Sequence, residues 1–310
     1  MIEGQEDVSW EQWRAIAAAC EEHGIPALLR SDHYLPLGAV LERQVLDAWG
    51  TVCALAATTS ALRLGTLVSP ATFRHPAVLA KLAVTADHVS GGRIDLGLGA
   101  GWNDPEHEAF AFPFPDLRTR MAVFEEQLEI VRGLTGAGSF AFQGDHYRVG
   151  PVDALPKPLQ ARLPIIVGGA GTPRSAAAAA RFADEYNTPF PDPEELAARR
   201  AAVARAWTEA GRDPASLRFS VMTGFVAGRD ESELLDRAGR LAEKQADGNS
   251  AREELEALPA SWITGTLDAV AEQLQAMAGL GVDRVMCQLL LHDDLDQIAL
   301  IGRELAPLVR

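Results

Sequence analysis

Strand-like and helix-like segments alternate along this chain from residue 1 to residue 310, and few architectures accept that rhythm. Short apolar stretches occupy residues 1–5, 25–29, 62–68, 93–98, 164–167, 185–187, 218–223 and 282–290. They are too short for stable helices, and several are rich in Val, Ile and Leu, which suits a strand. Between them lie segments with helical spacing. Trp13, Ile16, Ala17 and Cys20 fall on one helical face behind Ser9, a good N-cap, and Gly24 marks the stop. Further helices are predicted around 45–57, 76–89 and 117–134, from Pro173, and over 193–210, 231–245, 267–280 and 295–305. Repeated strand–helix units give parallel strands. Eight of them in one chain favour a closed (β/α)8 TIM barrel over an open sheet, an α/β fold that typically takes about 250 residues.

No Ser/Gly- or Pro-rich linker divides the chain, so it reads as one domain over 1–310, with insert segments at about 136–163 and 246–260. In the first insert, Phe140-Ala141-Phe142 and His146-Tyr147-Arg148-Val149 flank Gln143-Gly144-Asp145, which predicts a small hairpin. Against 28 Lys and Arg stand 43 Asp and Glu, a net charge of −15. Such a surface repels phosphate backbones and anionic lipid, so neither nucleic acid nor a membrane is expected as a partner. No apolar run approaches the roughly 18 residues of a membrane span. The acidic start, Met1 to Asp7, lacks the basic and apolar regions of a secretion signal, and a cytoplasmic protein is expected. Cys20, Cys53 and Cys287 are scattered without a CxxC, so they predict small apolar residues rather than disulfides or zinc ligands. No metal site is expected. His292-Asp293-Asp294 reads as a helix N-cap, because a metal needs three or four converging ligands.

Barrel chemistry sits at the carboxyl ends of the strands. After the fifth strand comes Gly168-Gly169-Ala170-Gly171, then Thr172 and Pro173 opening an alanine-rich helix. Thr suits the N-cap and Pro the first helical position. Glycines let backbone approach a ligand, and free amides at a helix start attract an anion. The segment therefore reads equally as a phosphate cradle or as a tight turn, and Arg174 tips it towards phosphate. After the fourth strand, Gly97-Leu98-Gly99-Ala100-Gly101 brings the third glycine one residue too early for the dinucleotide pattern. The same run suits an S-adenosylmethionine-dependent methyltransferase. Asp32-His33, at the end of the second strand, pairs a proton-exchanging imidazole with a carboxylate. His107, in the polar run Pro105-Glu106-His107-Glu108, is expected on an exposed helix face.

Several runs in order resemble the luciferase-like monooxygenase superfamily, in particular its actinobacterial branch that uses coenzyme F420. They are Arg30-Ser31-Asp32-His33-Tyr34-Leu35-Pro36, the run from Leu64 through Ser69-Pro70 to Ala77, and Ser90-Gly91-Gly92-Arg93 through Gly101-Trp102. Ile166-Val167-Gly168-Gly169-Ala170-Gly171 and Ala183-Asp184-Glu185-Tyr186-Asn187 continue the match. The resemblance implies a luciferase-like barrel with insertions and a homodimer; as a departure from it, the first strand is expected to be short. It implies a bulge at the end of the third strand with a non-proline cis peptide, by position Leu67–Val68. It places Asp32 and His33 beside the pyrimidine end of a flavin-like ring, as the catalytic pair. Leu67, Val68 and Ser69 would back the ring. Gly99, Gly101 and Asn103 would line its edge and polyol, and Gly168, Gly169, Ala170, Gly171 and Thr172 would hold the cofactor phosphate. Trp102, Phe110 and Phe112 would shape the substrate side. Trp102 replaces the glutamate found in the sugar-phosphate dehydrogenases of the branch, so that reaction is not expected. The expected activity is hydride transfer between coenzyme F420 and a small apolar or aromatic substrate. The alternative in the same superfamily is a monooxygenase using reduced FMN, and the methyltransferase is the more distant one.

Overall fold

The predicted apolar stretches become the staves of one parallel sheet. The computed structural model describes residues 1–310 apart from Gly38, Ala39, Leu41, Asp247 and Arg310. Asp247 belongs to the second insert and so lies outside the described residues. The strands are β1 (Ala27–Arg30), β2 (Arg63–Pro70), β3 (Ile94–Gly99), β4 (Phe140–Gln143), β5 (Arg148–Val152), β6 (Ile165–Gly168), β7 (Glu185–Pro189), β8 (Arg218–Gly228), β9 (Ile263–Thr266) and β10 (Arg284–Gln288). The main sheet runs β1-β2-β3-β6-β7-β8-β10, all parallel. Ile2 closes it into a ring by bridging Arg30 on one side and Leu289 on the other. The Ile2 amide donates to Leu29 O at 3.0 Å, and its carbonyl accepts from Ser31 N at 3.1 Å. The first stave is thus shorter than the predicted stretch, and the other seven overlap the stretches that the sequence predicts.

The helices are α1 (Trp10–Glu22), α2 (Ala48–Thr58), α3 (Pro76–Ser90), α4 (Asp104–Phe110), α5 (Leu117–Thr135), α6 (Pro173–Phe182), α7 (Pro193–Glu209), α8 (Glu231–Gln245), α9 (Ala251–Ala257), α10 (Leu267–Gly279) and α11 (Leu295–Ala299). Their starts are chemically marked. Ser9 and Gln12 form a reciprocal capping box on α1, and Thr172, with Pro173 next to it, caps α6. Asp294 caps α11 by accepting from Gln297 N. None of the described helices is long and apolar enough to cross a membrane.

The staves are buried on both faces, and successive side chains point alternately to the barrel interior and to the helices. Leu29, Leu67, Ile166 and Met286 pack inside the barrel with Met1. Their neighbours Leu28, Leu64, Ile165 and Val167 point to the helices, where they join the larger core with Trp13, Trp49, Phe124 and Trp207. Each such side chain contributes roughly 1.5–3 kcal/mol by leaving water. At the amino ends of the strands a polar layer plugs the barrel. Arg63 bonds Asp95, and Arg284 reaches Glu185 at 2.7 Å and Asp95 at 3.7 Å.

Three elements depart from the sequence reading. β8 continues past the predicted residue 223. Its second half leaves the barrel and pairs with β9, at Phe225↔Ile263 through Gly228↔Thr266. The β9 sequence, Ile-Thr-Gly-Thr, is too short and too glycine-broken to stand out alone. The second insert is not all loop, because Ser250 caps α9 with a complete capping box. The first insert carries the expected hairpin, β4 against β5.

Candidate active site at the carboxyl face of the barrel

The carboxyl ends of the staves surround a cavity of about 910 Å3. One wall comes from β2. Its register against β3 shifts between Thr66 and Ser69, and the Leu67–Val68 peptide is cis, as the resemblance implied. The bulge pushes the Val68 side chain towards β3 and β6. A Cβ at Gly99 would stand 2.7 Å from Val68 Cγ2, and one at Gly168 would stand 3.0 Å from Val68 Cγ1. A Cβ at Gly97 would collide with the Thr66 carbonyl. The glycine run of β3 therefore answers to strand packing around the bulge, with no nucleotide needed to account for it. Leu67, Val68, Gly99, Ala100, Gly101 and Gly168 all line the cavity.

His33, Leu67, Val68, Gly99, Gly101, Trp102, Gly168, Gly169 and Ala170 are the sequence-predicted residues that the fold gathers on the cavity wall. Gly169 N donates to Asn187 O at 2.9 Å, and Gly171 N to the Tyr186 hydroxyl at 2.8 Å. Gly171 has φ +69°, and a Cβ there would press on Arg199, so only glycine suits the turn. In the first turn of α6 Pro173 has no N–H, Ser175 N and Ala176 N both donate to Thr172, and the Arg174 amide has no intrahelical acceptor. Thr172 is spent on the cap, accepting from Ser175 N at 3.4 Å. Arg174 is occupied elsewhere, paired with Glu125 at 2.6 and 3.0 Å, so it does not serve the cradle as the sequence suggested.

His33 is 9% exposed, and its ring lies on the wall. Its Nδ1–H donates to Glu106 Oε1 at 2.7 Å, while Glu106 Oε2 accepts from the Tyr34 amide at 2.9 Å. Burial works against the imidazolium, but the hydrogen bond and the charge of Glu106 outweigh it and raise the His33 pKa. Glu106 is disfavoured as an anion by burial, yet His33 and the Tyr34 amide hold its pKa low. The Trp102 ring meets His33 edge-on, with centroids 5.6 Å apart and planes at 79°, and is 66% exposed at the mouth. Glu106 was absent from the sequence-level list. Seventy-three residues separate it from His33, and nothing local to either one announces the pair.

Other expected site residues lie away from the cavity wall. Asp32 is buried in a clamp: Arg74 donates at 2.6 and 3.2 Å, and the Ser69 hydroxyl at 2.6 Å. Ser69 also accepts from Trp49 Nε1 at 3.0 Å, behind the bulge. The Asn103 carbonyl accepts from His107 Nδ1. Phe110 and Phe112 stack in an outer aromatic group with Tyr34 and Phe73. His107 corrects the expectation of exposure. It is buried, its Nε2 bonds Thr72 Oγ1 at 2.6 Å, and Phe73, Phe112 and Phe114 enclose its ring.

The floor near the seam is polar. Glu3 accepts from Gln5 Nε2 at 2.7 Å and from Gln288 Nε2 at 2.6 Å, and Ser31 Oγ donates to Gln5 Oε1. Among the described residues no group of three or more His, Cys, Asp or Glu is placed to hold a metal ion.

The chain and its fold have known counterparts. An uncharacterized protein of Mycobacterium tuberculosis is 35% identical over 170 residues, which is 55% of this chain and 59% of that protein. The chain thus spans less than two thirds of the length of that relative. An FMNH(2)-dependent dimethylsulfone monooxygenase of Pseudomonas putida is 26% identical over 285 residues, covering 83% of this chain and 77% of the enzyme. In structure, the coenzyme F420-dependent tetrahydromethanopterin reductase of Methanopyrus kandleri superposes with a TM-score of 0.82 at 19% identity, over 100% of this chain and 98% of the reductase. The family model for luciferase-like monooxygenase matches residues 2–284, and the chain belongs to that family.

Proposed function

We propose that this protein transfers a hydride between coenzyme F420 and a small organic substrate in the cavity at the carboxyl face. The observation that carries the reading is the His33–Glu106 pair beside a wall cleared of side chains at Gly99 and Gly168. The fit can be tested on the chain's own geometry. The Val68 bulge gives an apolar face, and the Gly169–Gly171 turn, where side chains would collide with Tyr186 and Arg199, lets a ligand come close to the backbone at the head of α6, where the Arg174 amide has no intrahelical acceptor. A planar ring with a phosphate tail suits that pair of features. Gly168, Gly169, Ala170, Gly171 and the Thr172-capped turn would hold the phosphate. Leu67 and Val68 would back the ring.

Bound there, the cofactor supplies the hydride chemistry. The chain does the rest. Trp102, Leu67 and Val68 exclude water. Glu106 fixes His33 by its Nδ1, so the ring exchanges protons at Nε2. A raised pKa, from the hydrogen bond and charge of Glu106, keeps that proton on the ring to higher pH than in a free imidazole. Asp32 acts at one remove, holding Ser69 and the bulge with Arg74.

A second reading, oxygenation by reduced FMN, is favoured by the likeness to the Pseudomonas enzyme, which is named for that cofactor. Equilibrium titration of the purified chain with F420 and with FMN, followed by oxygen uptake with reduced FMN, separates the two. Tighter F420 binding without oxygen uptake is expected. Tight FMN binding together with oxygen uptake reverses the choice.

A further inference from the structure

Lys244 stands in the last turn of α8, and its side chain reaches the cavity. Its Nζ donates to His292 Nδ1 at 3.0 Å. An ammonium has no lone pair, so this imidazole nitrogen must be the acceptor and His292 must be neutral. Burial, then the charges of Lys244 and Arg43, push the His292 pKa down to about 3, in keeping with that. Arg43, also on the wall, binds the Glu6 carboxylate and donates to the Lys244 carbonyl at 3.0 Å. Glu6 thereby neutralises Arg43 and has its other oxygen occupied by Leu37 N at 2.8 Å. Asp293 is engaged by Arg240 at 3.1 Å. Among the described residues no carboxylate comes within ion-pairing distance of Lys244, although the chain carries 43 of them.

A lysine kept for structure pairs with a carboxylate or extends its head into water. Among the described residues Lys244 has no carboxylate partner, and it sits partly buried on the cavity wall, where burial, helped by Arg43, brings its pKa down to about 8. Two of its three N–H bonds remain for a guest. The position is also informative. Around the ring, β8, β10, Ile2 and β1 follow one another, and the group draws Lys244 from behind β8, His292 from behind β10, Glu6 from behind Ile2 and Arg43 from behind β1. The α6 cradle belongs to β6, on the other half of the mouth. Leu37, Leu241, Phe190, Met222 and Leu290 line the same cavity as the cation.

We propose that Lys244, backed by neutral His292 and flanked by Arg43, is a subsite for an anionic group on the substrate, so that the substrates are organic acids with an apolar body. The inference rests on the reading above in taking this cavity as the substrate site, but it does not depend on which cofactor binds. It names a specificity-determining residue, Lys244, and a ligand class.

Calorimetric titration of the full chain at pH 7 with hexanoate, hexanamide and hexan-1-ol tests it, using wild type, Lys244→Gln and Lys244→Arg. The wild type should bind hexanoate about tenfold tighter than hexanamide, in line with one partly buried charge pair. In Lys244→Gln the two ligands should come within about twofold of each other, and Lys244→Arg should restore most of the preference. Thermal melting of each variant separates loss of fold from loss of the subsite. A parallel titration with FMN and riboflavin asks whether the anion belongs to the cofactor. The FMN-to-riboflavin ratio should be unchanged by Lys244→Gln, since the phosphate lies at α6. No hexanoate preference in the wild type, a preference that survives Lys244→Gln, or a collapse of the FMN-to-riboflavin ratio in that variant each overturns the proposal. If neither FMN nor F420 binds while the hexanoate preference is present and is lost in Lys244→Gln, the subsite stands and the cofactor reading fails.

Discussion

At His33 two effects of opposite sign meet. Burial favours the neutral ring, whereas Glu106 at 2.7 Å favours the cation, and the partner prevails. The consequence for stability has a definite direction. The His33 pKa is raised in the fold, so its contribution is complete below 6.5 and fades as pH climbs through the folded value. The Glu106 pKa is lowered, so its contribution is complete above 4.5 and fades as pH drops through the folded value. Between pH 4.5 and 6.5 both are in full force. Glu106→Gln keeps a hydrogen-bonding side chain but removes the charge. It should lower the urea-unfolding free energy by about 2 kcal/mol in that window, a typical value for a hydrogen bond to a charged group, and by less as pH rises through the folded His33 value. The same variant should shift the His33 ring titration downward when followed by NMR. An unshifted titration would mean that burial alone sets the imidazole, and the proton-handling role assigned to the pair would lose its basis.

The β2 bulge and the glycines of β3 and β6 form one fitted unit, in which Gly99 and Gly168 both face Val68 while Gly97 faces backbone. At Gly97 the obstacle is backbone, the Thr66 carbonyl, which cannot turn aside; at Gly99 it is Val68 Cγ2, the end of a side chain. Gly97→Ala should therefore destabilise the fold by about 3 kcal/mol, at the upper end of overpacking costs, seen as a lowered melting temperature. Gly99→Ala should melt within about 1 kcal/mol of wild type, since only a side chain has to move, and should instead weaken binding of the ring-bearing cofactor by about tenfold through displacement of Val68. Equal melting of the two variants would show that the bulge is softer than this packing implies. This unit also marks how far sequence reaches. The staves could be read because strands covered on both faces spell continuous apolar runs such as Ile165-Ile166-Val167. The run Gly97 to Gly101 was conspicuous, yet its cause, a side chain arriving from β2, is a tertiary fact. β9 was missed for a related reason: its pairing with Phe225–Gly228 is long-range, and Gly265 breaks its pattern. His107 was misjudged because its flanking residues are polar while its enclosing rings, Phe73 and Phe114, arrive from elsewhere.

Over the whole molecule, the ring assembles one cavity from segments that the chain keeps far apart. Glu3 and Gln288 bond each other 285 residues apart, and His33 and Glu106 do so 73 apart. Strand ends could be read from the sequence and led to His33 and the Gly168–Gly171 turn. The partners of those residues, Glu106 and Tyr186, and the Lys244 group could not, because they depend on how the ring closes. The charge of the molecule acts on a longer range still. With a net −15 at pH 7, the surface repels an anionic ligand on approach, while the proposed α6 cradle and Lys244 subsite would attract it only at contact. Salt separates these two effects. The screening length falls from about 30 Å at 0.01 M to about 8 Å at 0.15 M, which removes the long-range repulsion, whereas a partly buried contact is screened much less. Association of FMN should therefore become faster as salt is added over that range, by about three- to tenfold in stopped-flow fluorescence, and that of uncharged riboflavin should hardly change. The usual expectation for a basic pocket is the reverse, a slowing with salt. If FMN slows, the field at the mouth is positive in spite of the acidic surface, and the Lys244–Arg43 side of the ring then governs approach as well as grip.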